Sequence, residues 1–97
     1  MKVIGLETLT RFSRKHANAK GAIESWLKVV DQSDWITPHD IKTRYPSVDF
    51  LAGNRAIFNL KGNHFRLVAK IAYNNGSVFV EWIGTHAEYD KQTFSQN

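Results

Sequence analysis

Cysteine is absent from the 97-residue chain. That excludes a disulfide framework, a thiolate-held metal and a cysteine nucleophile, and it fits a reducing compartment such as the cytoplasm. Proline occurs twice, at Pro38 and Pro46. No apolar run approaches the roughly 18 residues of a spanning helix, and no charged-then-apolar leader opens the chain. A soluble cytoplasmic protein with no membrane partner is therefore expected. Negative charge is the scarcer sign: nine acidic against 13 basic residues give a net charge of +4 and a sequence pI of about 9.6. Such a surplus favours acidic partners, nucleic acid among them. It sits at the two ends of the chain, with residues 1–20 carrying +4, residues 21–50 carrying −2 and residues 51–97 carrying +2.

What remains is a globular composition, 42% hydrophobic with 12% aromatics, long enough for one domain over residues 1–97 and too short for two. "KVIG" reads as a short strand. Leu6, Leu9 and Phe12 recur at helical spacing, and the helix should end near His16. Asn18 is placed to cap a second helix carrying Ile23, Trp26, Leu27 and Val30 on one stripe. In "TPHD", Thr37 is an N-cap, Pro38 takes the first helical position and Asp40 stands three past the cap; that helix should stop before Pro46. "SVDFLAGN" reads as a loop plugged by Phe50 and Leu51. "RAIFNL", "HFRLVAKIAY" and "SVFVEWIG" follow as strands separated by the turn signals "KGN" and "NNG". Helices first and strands last give an α+β class, with two N-terminal helices on a three- to four-stranded antiparallel sheet and a short C-terminal helical turn.

Two-residue turns at Lys61-Gly62 and Asn75-Gly76 would fix the register. Lys70 would then face Glu81, Val68 would face Ile83, and Arg66 would face Thr85. Asn59 would face His64 and Ile57 would face Arg66. One sheet face would carry Ala56, Phe58, Leu60, Phe65, Leu67, Ala69, Ile71, Tyr73, Val78, Val80 and Trp82 against the helices. The other would carry Arg55, Asn59, His64, Arg66, Lys70, Glu81 and Thr85. The strand then empties into "GTHAEYDK". Thr85 and Glu88 have the spacing of a capping box, and His86 and Tyr89 share one face of the turn that it starts.

Arginine, histidine, tyrosine and lysine gathered on a sheet suit cleavage of RNA by its own 2′-OH. That reaction needs one group to take a proton, another to return one to the departing 5′ oxygen, and a cation for the charge on phosphorus. Histidine titrates in the right range, arginine matches phosphate oxygens as a fork, and aromatic rings stack on unpaired bases. No cofactor or metal is required. His16, His39, His64 and His86 lack metal-ligand spacing, and no glycine-rich phosphate loop or serine triad signature is present. Each residue also has a plain structural reading: Lys70 and Glu81 as a surface ion pair, His64 as a solvated turn residue, Tyr89 as an anchor for the last turn.

"FNLKGNHFRLV" (Phe58 to Val68) followed by "VEWIGTHAEYDK" (Val80 to Lys91) resembles the HigB toxin family of bacterial type II toxin–antitoxin systems, and "YPSVD" (Tyr45 to Asp49) adds a third matching segment. The resemblance covers the last half of the chain well; the helical half matches in order and length. It implies a RelE-like fold and an endoribonuclease, an mRNA interferase, that cuts messenger RNA on translating ribosomes and is silenced by a HigA-type helix-turn-helix antitoxin. DNA would be met only through the antitoxin complex. The shared polar positions are Asn59, Gly62, Asn63, Arg66, Thr85, His86, Glu88, Tyr89 and Asp90. On this basis Arg66 is expected to stabilise the transition state, His86 to act as general acid or base, and Tyr89 to stack on a base or assist proton transfer. His64, Lys70, Asn59, Asn63 and Lys91 are expected to bind substrate, with turn-forming roles as the alternative for the asparagines and Gly62. The basic set Arg11, Arg14, Lys15 and Lys20 has no motif, and would suit sequence-blind contact with ribosomal RNA backbone. The competing reading is a non-catalytic RNA- or antitoxin-binding module on the same fold, which would not need Arg66, His86 and Tyr89 together.

Overall fold

The computed structural model describes residues 1–92. The chain begins with β1 (Lys2–Ile4) and turns at Gly5 into α1 (Leu6–Lys15). Gly5 is needed twice over. Its φ is +98°, and an added Cβ would stand 3.0 Å from the carbonyl oxygen of Val80, a conformation and a space that only glycine tolerates. A 3-10 turn (Ala17–Ala19) leads directly into α2 (Lys20–Asp31). Asn18 lies within that turn and does not cap α2, which starts without a side-chain cap at Ala19. The turn makes a cap unnecessary because the chain is already helical before α2 starts, with Ala19 N–H donating to the carbonyl of His16.

α3 (Pro38–Arg44) is started by the expected capping box: Asp40 N–H donates to the Thr37 hydroxyl, and the Asp40 carboxylate accepts from Thr37 N–H at 3.1 Å. The helix ends before Pro46, as the sequence indicates. The following segment is not the expected loop. Asp49–Leu51 forms β2, an edge strand paired with β3 (Arg55–Leu60), and Phe50 stays partly exposed instead of plugging the core. β4 (Phe65–Ala72), β5 (Ser77–Thr85) and α4 (His86–Asp90) complete the described chain.

Among the described residues the sheet has five strands in the order β1-β5-β4-β3-β2. It is mixed, because β1 lies parallel to β5, whereas the other neighbours are antiparallel. The expected all-antiparallel sheet of three or four strands is corrected in this respect. No local pattern announces a pairing between residues 2–4 and residues 77–79, whose connection runs through nearly the whole fold. No helix of the described residues is long and apolar enough to cross a membrane.

The core lies between the helices and one sheet face. Trp26 and Val30 from α2, Leu9 from α1, Ile41 from α3, and Phe58, Leu67, Ala69 and Ile71 from the sheet are almost fully buried. Phe58 is its aromatic centre. The Trp26 and Tyr45 rings meet it edge-on at 5.3 Å, and the Trp35 ring stacks on it at 6.0 Å.

Candidate active site

Both hairpin registers differ from the two-residue turns that the sequence suggests. Leu60 pairs with Phe65, so the β3–β4 connection has four residues, Lys61 to His64. Ala72 pairs with Ser77, and a 3-10 turn with Gly76 at φ +65° fills the second connection. A β-bulge between Val68 and Ala69 then shifts the β4–β5 pairing once more. The outcomes replace the expected pairs. Lys70 faces Phe79, Val68 faces Trp82, Arg66 faces Gly84, and Asn59 faces Arg66. Past the bulge the alternation of β5 is reversed. Ile83 turns into the core and Trp82, expected in the core, turns to the opposite face.

That face now carries Asn59, Arg66, Gly84 and Trp82 side by side, and α4 brings Tyr89 over them. The Arg66 guanidinium carbon stands 4.7 Å from the centroid of the Tyr89 ring. Trp82 meets the same ring at 5.9 Å in an edge arrangement. Gly84 makes this possible, because a Cβ there would fall 2.5 Å from the Trp82 indole. Gly84→Ala should therefore displace the indole and cost about 1–3 kcal/mol of stability, the usual range for overpacking. Thermal denaturation checks it, and an unchanged melting temperature would mean that the ring does not rest there.

Arg66 is held by stacking. Its Nε is buried without a hydrogen-bond partner, as is Oδ1 of Asn59 directly opposite, while Asn59 Nδ2 donates to the Ser47 carbonyl at 3.0 Å. No carboxylate among the described residues lies within ion-pair distance of Arg66. An un-neutralised cation beside unsatisfied polar atoms is costly to the fold and available to an anion.

α4 begins at the expected capping box, with Glu88 N–H donating to the Thr85 hydroxyl at 3.1 Å and Thr85 N–H donating to the Glu88 carboxylate at 2.7 Å. The bond from Thr85 N–H holds the Glu88 carboxyl below the usual range, helped by the Thr85 hydroxyl and by the nearby charges of His16 and Lys91. His86 N–H donates to the His64 carbonyl, which ties the β3–β4 loop to the start of α4. The His86 Nδ1 lies 3.7 Å from the Asp90 carboxylate. The His64 Nδ1 lies 2.8 Å from the Lys61 carbonyl oxygen. A carbonyl only accepts, so this bond assigns a hydrogen to Nδ1.

Arg66, Asn59 and Tyr89 are thus brought together by β3, β4 and α4; His86 opens α4, three residues before Tyr89, and is bonded through its backbone to His64. Asn63 is exposed in the loop, where Lys61 and Gly62 have positive φ. Lys70 stands apart, four residues along β4 from Arg66 or roughly 13 Å. Lys91 follows α4 on the side facing α1. The basic set divides: Arg11 and Lys15 point towards the open edge of β5, while Arg14 and Lys20 line the groove between α1 and α2. Sequence reasoning missed Trp82 and His16. The bulge that turns Trp82 outward has no sequence signature. The i, i+4 spacing of Phe12 and His16 was available, and their rings do stack, at 4.3 Å.

A basic face lined with aromatic rings on a small α+β fold defines a protein whose surface suits an anionic ligand. More particularly, the chain belongs to the HigB toxin family, the RelE-like toxic component of a toxin–antitoxin system, whose family model matches residues 19–92. It is 34% identical over 95 residues to an mRNA interferase HigB of Escherichia coli O6:H1 (strain CFT073), covering 96% of this chain and 92% of that protein. The mRNA interferase toxin HigB of Escherichia coli K12 is 24% identical over 92 residues, covering 93% and 88%. A stretch of a light-independent protochlorophyllide reductase polypeptide of Porphyra purpurea is 27% identical, but the chain spans only 19% of that protein's length.

Proposed function

We propose that this toxin is an endoribonuclease that cleaves messenger RNA by attack of the 2′-OH on the adjacent phosphate. The observation that carries the reading is the Arg66 guanidinium, stacked on Tyr89, unpaired with any described carboxylate and open on the sheet face. Its relatives are named mRNA interferases, which supplies the substrate class.

In the proposed reaction the scissile phosphate lies against Arg66, whose fork holds two non-bridging oxygens and gains strength as charge builds on phosphorus. An imidazole nitrogen takes the 2′-OH proton as O2′ bonds to phosphorus. A second group gives a proton to the 5′ oxygen as that bond breaks, leaving a 2′,3′-cyclic phosphate and a 5′-OH. We assign one of these transfers to His86, which opens α4 three residues before Tyr89, with His64 as electrostatic support beside it. Tyr89 and Trp82 offer ring surfaces to an unpaired base. In this reading the toxin meets messenger RNA in the cytoplasm, on translating ribosomes, and a HigA-type helix-turn-helix antitoxin is the silencing partner and the route to DNA.

Induced expression should arrest growth and fragment messages, and His86→Ala should relieve both. Growth arrest with intact messages would favour a non-catalytic RNA-binding module, and full toxicity of His86→Ala would remove His86 from the site.

A further inference from the structure

The sheet face around Arg66 has an exit that no residue role yet explains. Trp82 borders two spaces. On one side its ring meets Tyr89; on the other it lines a cleft of about 430 Å³ with Phe12, Lys15, His16 and Lys91. A second hollow of about 180 Å³ continues from it along α1, sharing Phe12, Lys15 and Ile83 and adding Arg11. The two hollows form one track along the open edge of β5 and the flank of α1.

Its chemistry is that of a single-strand path. Phe12 and His16 are stacked, and with the Trp82 indole they supply ring surface. Arg11 and Lys15 are exposed one helical turn apart, about 6 Å along the axis, a spacing suited to successive phosphates of an extended strand. Lys91 adds a third cation. Glu88 also lines the cleft, but its carboxylate is engaged by Thr85 N–H. The groove between α1 and α2 differs: Lys20 there stands 4.0 Å from Glu24, and the floor is Leu6, Leu9, Ile23 and Leu27.

From this geometry we infer that substrate RNA, once past Arg66 and Tyr89, crosses Trp82 and runs along α1 over Lys15 and Arg11. The inference rests on the ribonuclease reading. It divides the basic N-terminal set into two residues that hold the substrate strand and two, Arg14 and Lys20, that do not. Contact through phosphate and stacking makes this subsite salt-sensitive and tolerant of sequence.

The test is binding of non-cleavable 2′-O-methyl oligonucleotides, about 4 and about 12 nucleotides long, followed by fluorescence anisotropy. Extensions are made separately on the 5′ and 3′ sides of the short core. Wild-type protein should bind the longer strand about tenfold more tightly for one direction of extension. Lys15→Glu with Arg11→Glu should abolish that gain and lower the salt dependence by about 1 to 2 in the log–log slope, leaving the short strand unaffected. The neutral pair Lys15→Gln and Arg11→Gln should lose most of the gain, and Arg14→Glu should keep it. Equal affinity for both lengths, or an equal loss in Arg14→Glu, would overturn the track while leaving the ribonuclease reading intact. Failure of wild-type protein to bind either length would overturn the track, whereas the ribonuclease reading falls only if induced expression leaves messages intact.

Discussion

Arg66→Ala should lower RNA cleavage by about 10²–10³-fold, the usual cost of removing one preorganised group from a developing anion, and should not destabilise the fold. The two halves of this expectation have one origin. Arg66 is the second residue of β4, opposite Asn59 and Gly84, and its Nε is buried with no hydrogen bond. Desolvating a charged donor without a partner costs the native state, so removing it relieves that cost while forfeiting the contact with Tyr89. The net change in stability should stay within about 1 kcal/mol in either direction. Arg66→Lys keeps the charge but loses the planar fork and most of the stacking, so it should recover no more than about a tenth of wild-type activity. Cleavage of a defined message in a purified translation system, with thermal denaturation of each variant, checks both halves. Retained activity would remove Arg66 from the chemistry. A loss of several kcal/mol would make it a structural residue.

Much of the site is legible in the chain because its parts are local. Thr85 and Glu88 announce the start of α4 by their spacing, and the helix period then puts His86 and Tyr89 on its face. Thr37, Pro38 and Asp40 mark α3 in the same way. Gly62 takes the positive φ expected of it. The hidden part is register. "KGN" and "NNG" signal turns, but the same residues serve two-residue and four-residue connections, and each change of length slides every pair behind it. The bulge at Val68/Ala69 then exchanges the faces of Trp82 and Ile83, because one extra residue reverses a period of two. Composition would always place a tryptophan in a small core. Here the exchange puts its ring beside Tyr89 and at the head of the cleft along α1.

Parallel pairing of β1 was equally hidden, for the opposite reason. Lys2–Ile4 is recognisable as a strand, but its partner lies at Ser77–Phe79, beyond any local signal. The family resemblance reached the polar motif of the second half, and the helical half, poor in motifs, is where the divided basic set and His16 went unread.

Phe58→Ala should cost about 3–5 kcal/mol, the range for emptying a large buried aromatic site. Phe58 is fully buried, and Trp26, Trp35 and Tyr45 all pack on its ring, so three rings would face the void together. None is free to fill it, since Trp26 is fixed on α2 and Trp35 and Tyr45 flank α3. Against a total of roughly 5–15 kcal/mol for a domain of this size, the variant should melt about 15–30 °C lower. Phe58→Leu, which refills most of the volume, should lose less than half as much. Chemical denaturation at constant slope measures the difference, and a loss below about 1 kcal/mol would mean that the aromatic cluster collapses around the gap. The strand's alternation adds a second expectation. Ile57 and Asn59 point to the opposite face from Phe58, so Phe58→Ala molecules that remain folded at low temperature should keep the geometry around Arg66. Their cleavage rate per folded molecule should be close to wild type, and a rate that falls in step with the void would show that the core sets the position of Arg66 as well as the stability of the sheet that carries it.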